Sequence, residues 1–255
     1  MNILIVNDDS IHAPGIALLA RSAAQLGRVW VVAPASQCSA MSQKLTIHGE
    51  MRLEKTDFPV PVEAAYALEG TPVDCVKVAL NHLLKEKPDL ILSGINNGYN
   101  TGLDIAYSGT LGAAFEAARN GVPAIALSVT GDAHLEGTMP HLGQILKRLA
   151  QSELPRGMVW NVNFPAARPG NPKGILEDRV PAPVSLYRET YIESIRPDGT
   201  LTLRCQGIPT PVELLPEDSD AWAVKHGYIS IGKVNGLVDG KEAAYGCVSC
   251  SGGQL

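Results

Sequence analysis

Asp8 and Asp9 stand side by side directly after Ile3-Leu4-Ile5-Val6, and no other stretch so plainly invites chemistry. Four consecutive branched apolar residues read as a parallel strand covered on both faces. Asn7, Asp8 and Asp9 then fall at the strand's carboxyl end, where α/β proteins bind ligands. Neighbouring acids repel, so a fold that sets them together usually gives them a cation or a proton to share. The competing reading is an Asx turn that caps the helix that follows. The metal reading makes a geometric demand. In a continuing strand the two side chains would point to opposite faces, so the strand must end and the backbone turn here.

Two further stretches carry candidate chemistry. Residues 93–104, Ser-Gly-Ile-Asn-Asn-Gly-Tyr-Asn-Thr-Gly-Leu-Asp, are too rich in Gly and Asn for regular structure. They predict a long loop after the buried strand at 89–93, and loops of that length are commonly functional. Ser108-Gly109-Thr110 then opens a helix that runs through Arg119 and stops at Gly121. Hydroxyls and unpaired N–H groups at a helix start make a ready anion site, and equally an ordinary Ser/Thr cap. Within the polar, small-residue stretch 34–43, Ser39 is a hydroxyl ligand or a turn residue. Tyr99 and Tyr107 are as suited to structural roles as to stacking on a ligand. His12 lies on the loop after Asp9, where a capping or surface role is favoured over one in the site.

These residues need elements to position them, and the periodicity supplies an alternating order of strands and helices. Pro14 suits a first helical position and Gly27 the residue past the end. Between them Ile16, Leu19, Ala23 and Leu26 share one face. Residues 29–33 form a second apolar strand, completing a βαβ unit of the right-handed kind. Its turn has no G-x-G-x-x-G, and Asp8-Asp9 stand where a dinucleotide's pyrophosphate would need glycine, which argues against a nicotinamide dehydrogenase. Leu45, Ile47, Met51 and Leu53 alternate, predicting a strand broken in phase near Gly49 that pairs with another at 60–68. Thr71-Pro72 opens a helix with Val73, Val76, Leu80 and Leu83 inward. Strands at 124–129 and 158–162 flank an amphipathic helix at 139–150. Then the rhythm breaks. Pro197-Asp198-Gly199 is a turn signal between 188–195 and 200–205, predicting a protruding β-hairpin. A short helix at 219–226 and a strand at 228–231 follow, and the tail from 235 to 255 is Gly-rich. The expected class is α/β, with a core over 1–165, an extension over 166–217, and a return to the core with the tail over 218–255.

Composition narrows the function classes. A chain of 255 residues that is 45% hydrophobic and 18% charged suits a large α/β domain with an appendage. The net charge of -5 argues against binding nucleic acid, whose phosphates demand a basic surface. Small anions stay open, because a metal can supply local positive charge. No run of about eighteen apolar residues marks a membrane span. The N-terminus enters a strand at once, so a cytoplasmic protein is expected. Cys38, Cys75, Cys205, Cys247 and Cys250 are odd in number and scattered, as reduced thiols would be. Cys247-x-x-Cys250 alone, without a second pair or a nearby His, is a weak zinc or redox signal.

Several motifs together resemble the SurE family, survival-protein phosphatases acting on nucleoside 5′-monophosphates. They are Asn7-Asp8-Asp9, His12-Ala13-Pro14-Gly15-Ile16, Val31-Val32-Ala33-Pro34, Gly70-Thr71-Pro72-Val73-Asp74-Cys75-Val76 and Ser93-Gly94-Ile95-Asn96. Gly98, Asn100, Gly102, Asp104 and Tyr107-Ser108-Gly109-Thr110 keep the family's spacing, and Asn161-Val162-Asn163 and Gly227-Tyr228-Ile229-Ser230-Ile231 carry the likeness towards the C-terminus. The resemblance implies a three-layer Rossmann-like, mostly parallel sheet and one divalent metal per subunit. It also implies a projecting hairpin that joins subunits into a homodimer or homotetramer, in a cytoplasmic phosphatase. The metal ligands it implies are Asp8, Asp9, Ser39 and Asn96. Such an all-oxygen set suits Mg²⁺, Mn²⁺ or Ca²⁺ and not a structural zinc. The expected chemistry is a water attack on a metal-polarised phosphate held by Asn96, Ser108, Gly109 and Thr110, with Asp8 or Asp9 accepting the proton. Asp8, Asp9 and Asn96 are thus the catalytic candidates. A nucleotide or polyphosphate binder without turnover would use the same residues. Two departures stand out. The family often has Arg-Ser-Gly where this chain has Cys38-Ser39-Ala40. It also commonly continues its last strand with Thr-Pro-Leu and a helix, where Gly232-Lys233-Val234 here leads into the Gly-rich tail.

Overall fold

The structure is a computed structural model that describes residues 1–130, 135, 138–166, 168 and 172–236. The chain begins with β1 (Asn2–Val6), α1 (Pro14–Ala23), β2 (Arg28–Pro34), β3 (Leu53–Lys55), β4 (Ala64–Leu68) and α2 (Pro72–Val78). It continues with β5 (Leu90–Asn97), α3 (Gly109–Arg119), β6 (Ala124–Val129), α4 (Met139–Leu149) and β7 (Met158–Phe164). After β8 (Ile175–Leu176) come the hairpin strands β9 (Tyr187–Ile195) and β10 (Leu201–Pro209), then α5 (Asp220–Lys225) and β11 (Ile229–Asn235). The main sheet runs β3-β4-β2-β1-β5-β6-β7-β11-β8. From β4 to β7 every neighbouring pair is parallel; β3 and β11 lie antiparallel to β4 and β7.

Burial on both faces explains the unbroken apolar run of β1. Ile3 and Ile5 belong to the layer holding Ile16 and Leu19 of α1 with Leu142 and Ile145 of α4. Leu4 and Val6 belong to the opposite layer, with Val76 of α2 and Leu111 and Ala114 of α3. The result is the three-layer α/β arrangement, in which parallel strands leave their carboxyl ends together at one rim.

Pro14 opens α1 as expected, but the helix stops at Ala23, before Gly27. Gly27 serves a close approach instead: a Cβ there would meet the Met1 carbonyl oxygen at 2.0 Å. The strand expected from the alternation at Leu45–Leu53 shrinks to Leu53–Lys55. The preceding backbone finds its partners on helices and not on a strand. Thr46 N–H donates to Asp74 Oδ1 at 3.0 Å, the Lys44 carbonyl accepts from Thr71 Oγ1 at 2.6 Å, and Ser42 N–H donates to the Tyr107 carbonyl at 3.0 Å. Ile47 is consequently 77% exposed, so its place in the alternation marked no buried face.

The Gly/Asn-rich stretch is more regular than its composition suggests. β5 continues through Asn97, with a register shift against β6 between Ser93 and Asn96. Gly94 makes the irregularity feasible: its φ is +133°, and a Cβ would meet the Leu127 carbonyl oxygen at 2.3 Å. Asn96 and Asn97 are therefore held by the sheet's end, and a single 3₁₀ segment, Gly102–Tyr107, leads to α3.

β9 and β10 form their own two-stranded antiparallel sheet, from Tyr187↔Pro209 to Ile195↔Leu201. Tyr191, Ile195, Leu201 and Leu203 on it are exposed. β8, from the same part of the chain, adds instead to the edge of the main sheet beside β11. Cys247, Cys250 and most of the Gly-rich tail lie outside the described residues.

Candidate active site

β1 ends at Val6, so the strand does not continue through the two acids. Asn7 Nδ2 donates to the Ser10 carbonyl at 2.7 Å, and Ser10 takes a φ of +94°, which turns the chain immediately after the acids. Asp8 is only 3% exposed. Its Oδ1 accepts a 2.6 Å hydrogen bond from Thr110 Oγ1, and its carbonyl accepts from Cys38 N–H at 2.7 Å. Asp9 turns towards β5, where its Oδ2 accepts from Asn97 N–H at 2.8 Å. Burial pushes the Asp8 carboxyl up to about 6. The Thr110 bond opposes that rise, and repulsion from Asp9 adds to it.

Ser39 comes from the loop after β2 and Asn96 from the end of β5. With Asp8 and Ser108 both line a polar cavity of about 430 Å³ at the carboxyl rim of the sheet. The Gln37 side-chain amide donates to Ser39 Oγ at 3.0 Å and reaches Asp9 Oδ1 at 3.5 Å. The Gln37 amide thus links Ser39 to Asp9. Asn96 Nδ2 donates to the Gly98 carbonyl at 2.8 Å, which leaves Oδ1 as its acceptor atom. Among the described residues no three His, Cys, Asp or Glu side chains gather. An ion here would rest on the two carboxylates with neutral oxygens, a donor set for a hard cation.

Ser108, Gly109 and Thr110 do not present three equivalent donors. Ser108 is the N-cap of α3, its Oγ accepting from Leu111 N–H at 3.1 Å, and it lines the cavity. Gly109 lies against Asp8, where a Cβ would come within 2.9 Å of Oδ2. Thr110 is fully buried with its hydroxyl on Asp8. The start of α3 thus closes on Asp8, and of the three only Ser108 faces the cavity. His12 is exposed and does not line it.

Several residues that shape the site escaped the sequence reading. Asn100 N–H donates to Asn163 Oδ1 at 2.9 Å, Asn100 Nδ2 to Ser128 Oγ at 2.8 Å, and Asn161 Nδ2 to the Asn100 carbonyl at 2.8 Å. This buried network pins the loop after Asn96 onto β6 and β7. The signal was present in Asn161-Val162-Asn163, two amides on one face of an otherwise apolar strand. Tyr99 Oη accepts from Ala166 N–H at 2.9 Å, a structural use of that ring's hydroxyl. Asp104 was marked only by the motif spacing and Asp220 by nothing, and nothing near either one in sequence reveals its partners.

Comparison with known proteins agrees with this geometry. The family model described as "Survival protein SurE" matches residues 3–180. A 5′-nucleotidase SurE of Moorella thermoacetica is 40% identical over 237 residues, covering 91% of this chain and 88% of its own. The 5′-nucleotidase SurE 1 of Thermus thermophilus is 38% identical, covering 92% of each. The crystal structure of the Sure protein from Aquifex aeolicus superposes with a TM-score of 0.79 at 33% identity, covering 94% of this chain and 95% of that one. A match over most of the length, on a sheet whose rim gathers Asp8, Ser39, Asn96 and Ser108, places this chain in the SurE family.

Proposed function

We propose that this protein hydrolyses nucleoside 5′-monophosphates to nucleoside and phosphate with the help of one divalent metal ion. The observation that carries the proposal is the convergence of Asp8, Ser39, Asn96 and Ser108 on one polar cavity, with Asp9 hydrogen-bonded to Asn97 of its lining, in a chain similar to named 5′-nucleotidases. Asp8, Asp9, Ser39 and Asn96 are the proposed ligands, and their oxygens suit Mg²⁺, Mn²⁺ or Ca²⁺. When bound, the ion offsets phosphate charge and polarises the phosphoryl group.

The chain's own residues do the rest. Ser108 Oγ accepts from Leu111 N–H, so its hydroxyl hydrogen is available to a phosphate oxygen. Asn96, held through Nδ2, fixes the cavity wall where the phosphate sits. Thr110 and Gly109 act through Asp8: the hydroxyl orients the carboxylate, and the missing Cβ lets α3 close on it. Asp8 or Asp9 accepts the proton of the attacking water; burial raises the Asp8 carboxyl in the metal-free protein, and a bound cation would lower it again. Water is the proposed nucleophile, and direct attack by Asp8 to form an aspartyl phosphate is the alternative that the trapping experiment below separates from it. Positioning and electrostatics of this kind are most of what phosphoryl transfer requires.

The exposed apolar residues of the β9–β10 hairpin support its use in a homodimer or homotetramer. A cytoplasmic setting is supported by Cys38, Cys75 and Cys205, all free thiols. Among the described residues no helix is long and apolar enough to cross a membrane.

Phosphate release from 5′-AMP with Mn²⁺, before and after EDTA, tests the reaction. Hydroxylamine trapping during a single turnover tests the nucleophile: an unmodified Asp8 peptide supports water, and a hydroxamate at Asp8, formed from an acyl phosphate, overturns it.

A further inference from the structure

Leu186 and Tyr187, at the root of the hairpin, line the same cavity as Asp8. Tyr107 and Tyr187 also line a second cavity of about 470 Å³. The two rings therefore line both cavities. They are 62% and 51% exposed, and although Lys225 Nζ lies over the Tyr187 ring at 5.6 Å from its centroid, part of each ring is open to a ligand.

Two carboxylates from distant parts of the chain hold this wall. Asp220, almost fully buried at the first turn of α5, accepts N–H bonds from Gly102 at 3.1 Å, Ala182 at 3.0 Å and Ala221 at 2.7 Å. It thereby ties the hairpin root to the loop that leads into Tyr107. Gly102 makes the approach possible, since a Cβ there would meet the Val184 carbonyl oxygen at 2.3 Å. Asp104, on the same loop, accepts from Leu186 N–H at 3.1 Å and fixes the residue beside Tyr187. A buried carboxylate costs stability unless it is hydrogen-bonded, and the bonds from Gly102 and Ala182 serve this junction.

We propose that Asp104 and Asp220 are positioning residues that clasp the hairpin root against the active-site loop, so that Tyr107 and Tyr187 form the nucleobase subsite. The inference rests on the phosphatase reading above and adds the part of the substrate that the phosphate pocket leaves unexplained. Aromatic faces accept any base by stacking, so the subsite favours nucleotides over bare sugar phosphates without strong choice among bases.

The test compares 5′-AMP with ribose 5-phosphate, which differs only in lacking the base. Kinetics with Mn²⁺ and calorimetric binding of each compound are measured for the wild type, Asp220→Asn, Asp104→Asn, Tyr187→Ala and Tyr187→Phe. In the first three variants KM and Kd for 5′-AMP should rise about tenfold, the usual scale for losing a base–aromatic stack. Values for ribose 5-phosphate and kcat for both should stay near wild type, and Tyr187→Phe should retain binding. A parallel loss for both compounds, or no change for either, overturns the subsite. Should Asp220→Asn fail to fold by circular dichroism, Asp104→Asn and Tyr187→Ala decide the matter. Absence of turnover by the wild type would remove the phosphatase reading alone, because the binding comparison still tests the subsite.

Discussion

Thr110 Oγ1 donates a 2.6 Å hydrogen bond to Asp8 Oδ1, joining residues 102 positions apart in the chain. The bond links the end of β1 to the first turn of α3 and makes a hydroxyl that resembles a ligand donor into the support for a carboxylate. Removing it should leave Asp8 buried without its main compensation. Thr110→Val is expected to lower kcat for 5′-AMP roughly 10- to 100-fold, the equivalent of one hydrogen bond to a charged group. Thr110→Ser should keep most of the activity. Equal activity of the valine and serine variants would show that the bond does not position Asp8.

Gly109 admits no side chain without moving Asp8, since a Cβ would stand 2.9 Å from Oδ2 and 3.0 Å from the Asp8 Cβ. Gly109→Ala should cost about 1–3 kcal/mol of stability, as overpacking does, and depress activity further than its stability loss explains. Urea unfolding beside kinetics separates the two effects. An active, undisturbed alanine variant would mean that α3 can withdraw from Asp8 freely.

The state of Asp8 predicts a pH dependence in metal-free protein. Its folded pKa of about 6 lies above the ordinary 3.8, so the folded chain binds this proton more tightly than the unfolded chain. The resulting stabilisation is fully present below about 3.8 and is lost as pH rises through about 6. In EDTA, Asp8→Asn should therefore be more stable than wild type at about pH 7.5, by at most about 3 kcal/mol, with the gap closing towards about pH 4. Asp220 is raised to about 6 by burial as well, and the comparison between variants cancels its contribution. Thermal scans across pH decide it; a variant less stable than wild type at neutral pH would contradict the sign.

Chelation should abolish hydrolysis, and added Mn²⁺ or Mg²⁺ should restore it. Saturating the site with ion should also raise the melting temperature, because binding to the folded state alone adds stability by mass action, about 2.7 kcal/mol at a hundredfold excess over Kd. Asp9→Asn should blunt both responses. A melting curve indifferent to metal in the wild type would speak against a site built on Asp8 and Asp9.

The buried amide network offers a test away from the ligands. Asn163→Ala strips Asn100 N–H of its acceptor in a place closed to water, at an expected cost of about 1–3 kcal/mol. The loop carrying Asn100 and Tyr99 should loosen, raising KM for 5′-AMP more than it lowers kcat. Denaturant unfolding and steady-state kinetics give both readouts.

Sequence alone determined the layers and one rim of the site. Ile3 to Val6 must be buried on both faces because every residue of the run is apolar. Ser108 reads as a helix cap because its side-chain chemistry suits the start of α3. Asp8, Asp9, Ser39 and Asn96 could be gathered from sequence only through motifs matched together, since no spacing rule links residues so far apart. Tertiary structure decided how the local groups are used. The Gly/Asn stretch joined β5 because Gly94 let the strand shift register against β6. The alternation at 45–53 made little strand because its backbone found partners at the start of α2. Thr110 turned to Asp8, and Asp220 reached Gly102 across 118 positions. Local propensity cannot encode such bonds; the partner is chosen by which elements the packed sheet brings within about 3 Å, the reach of a hydrogen bond.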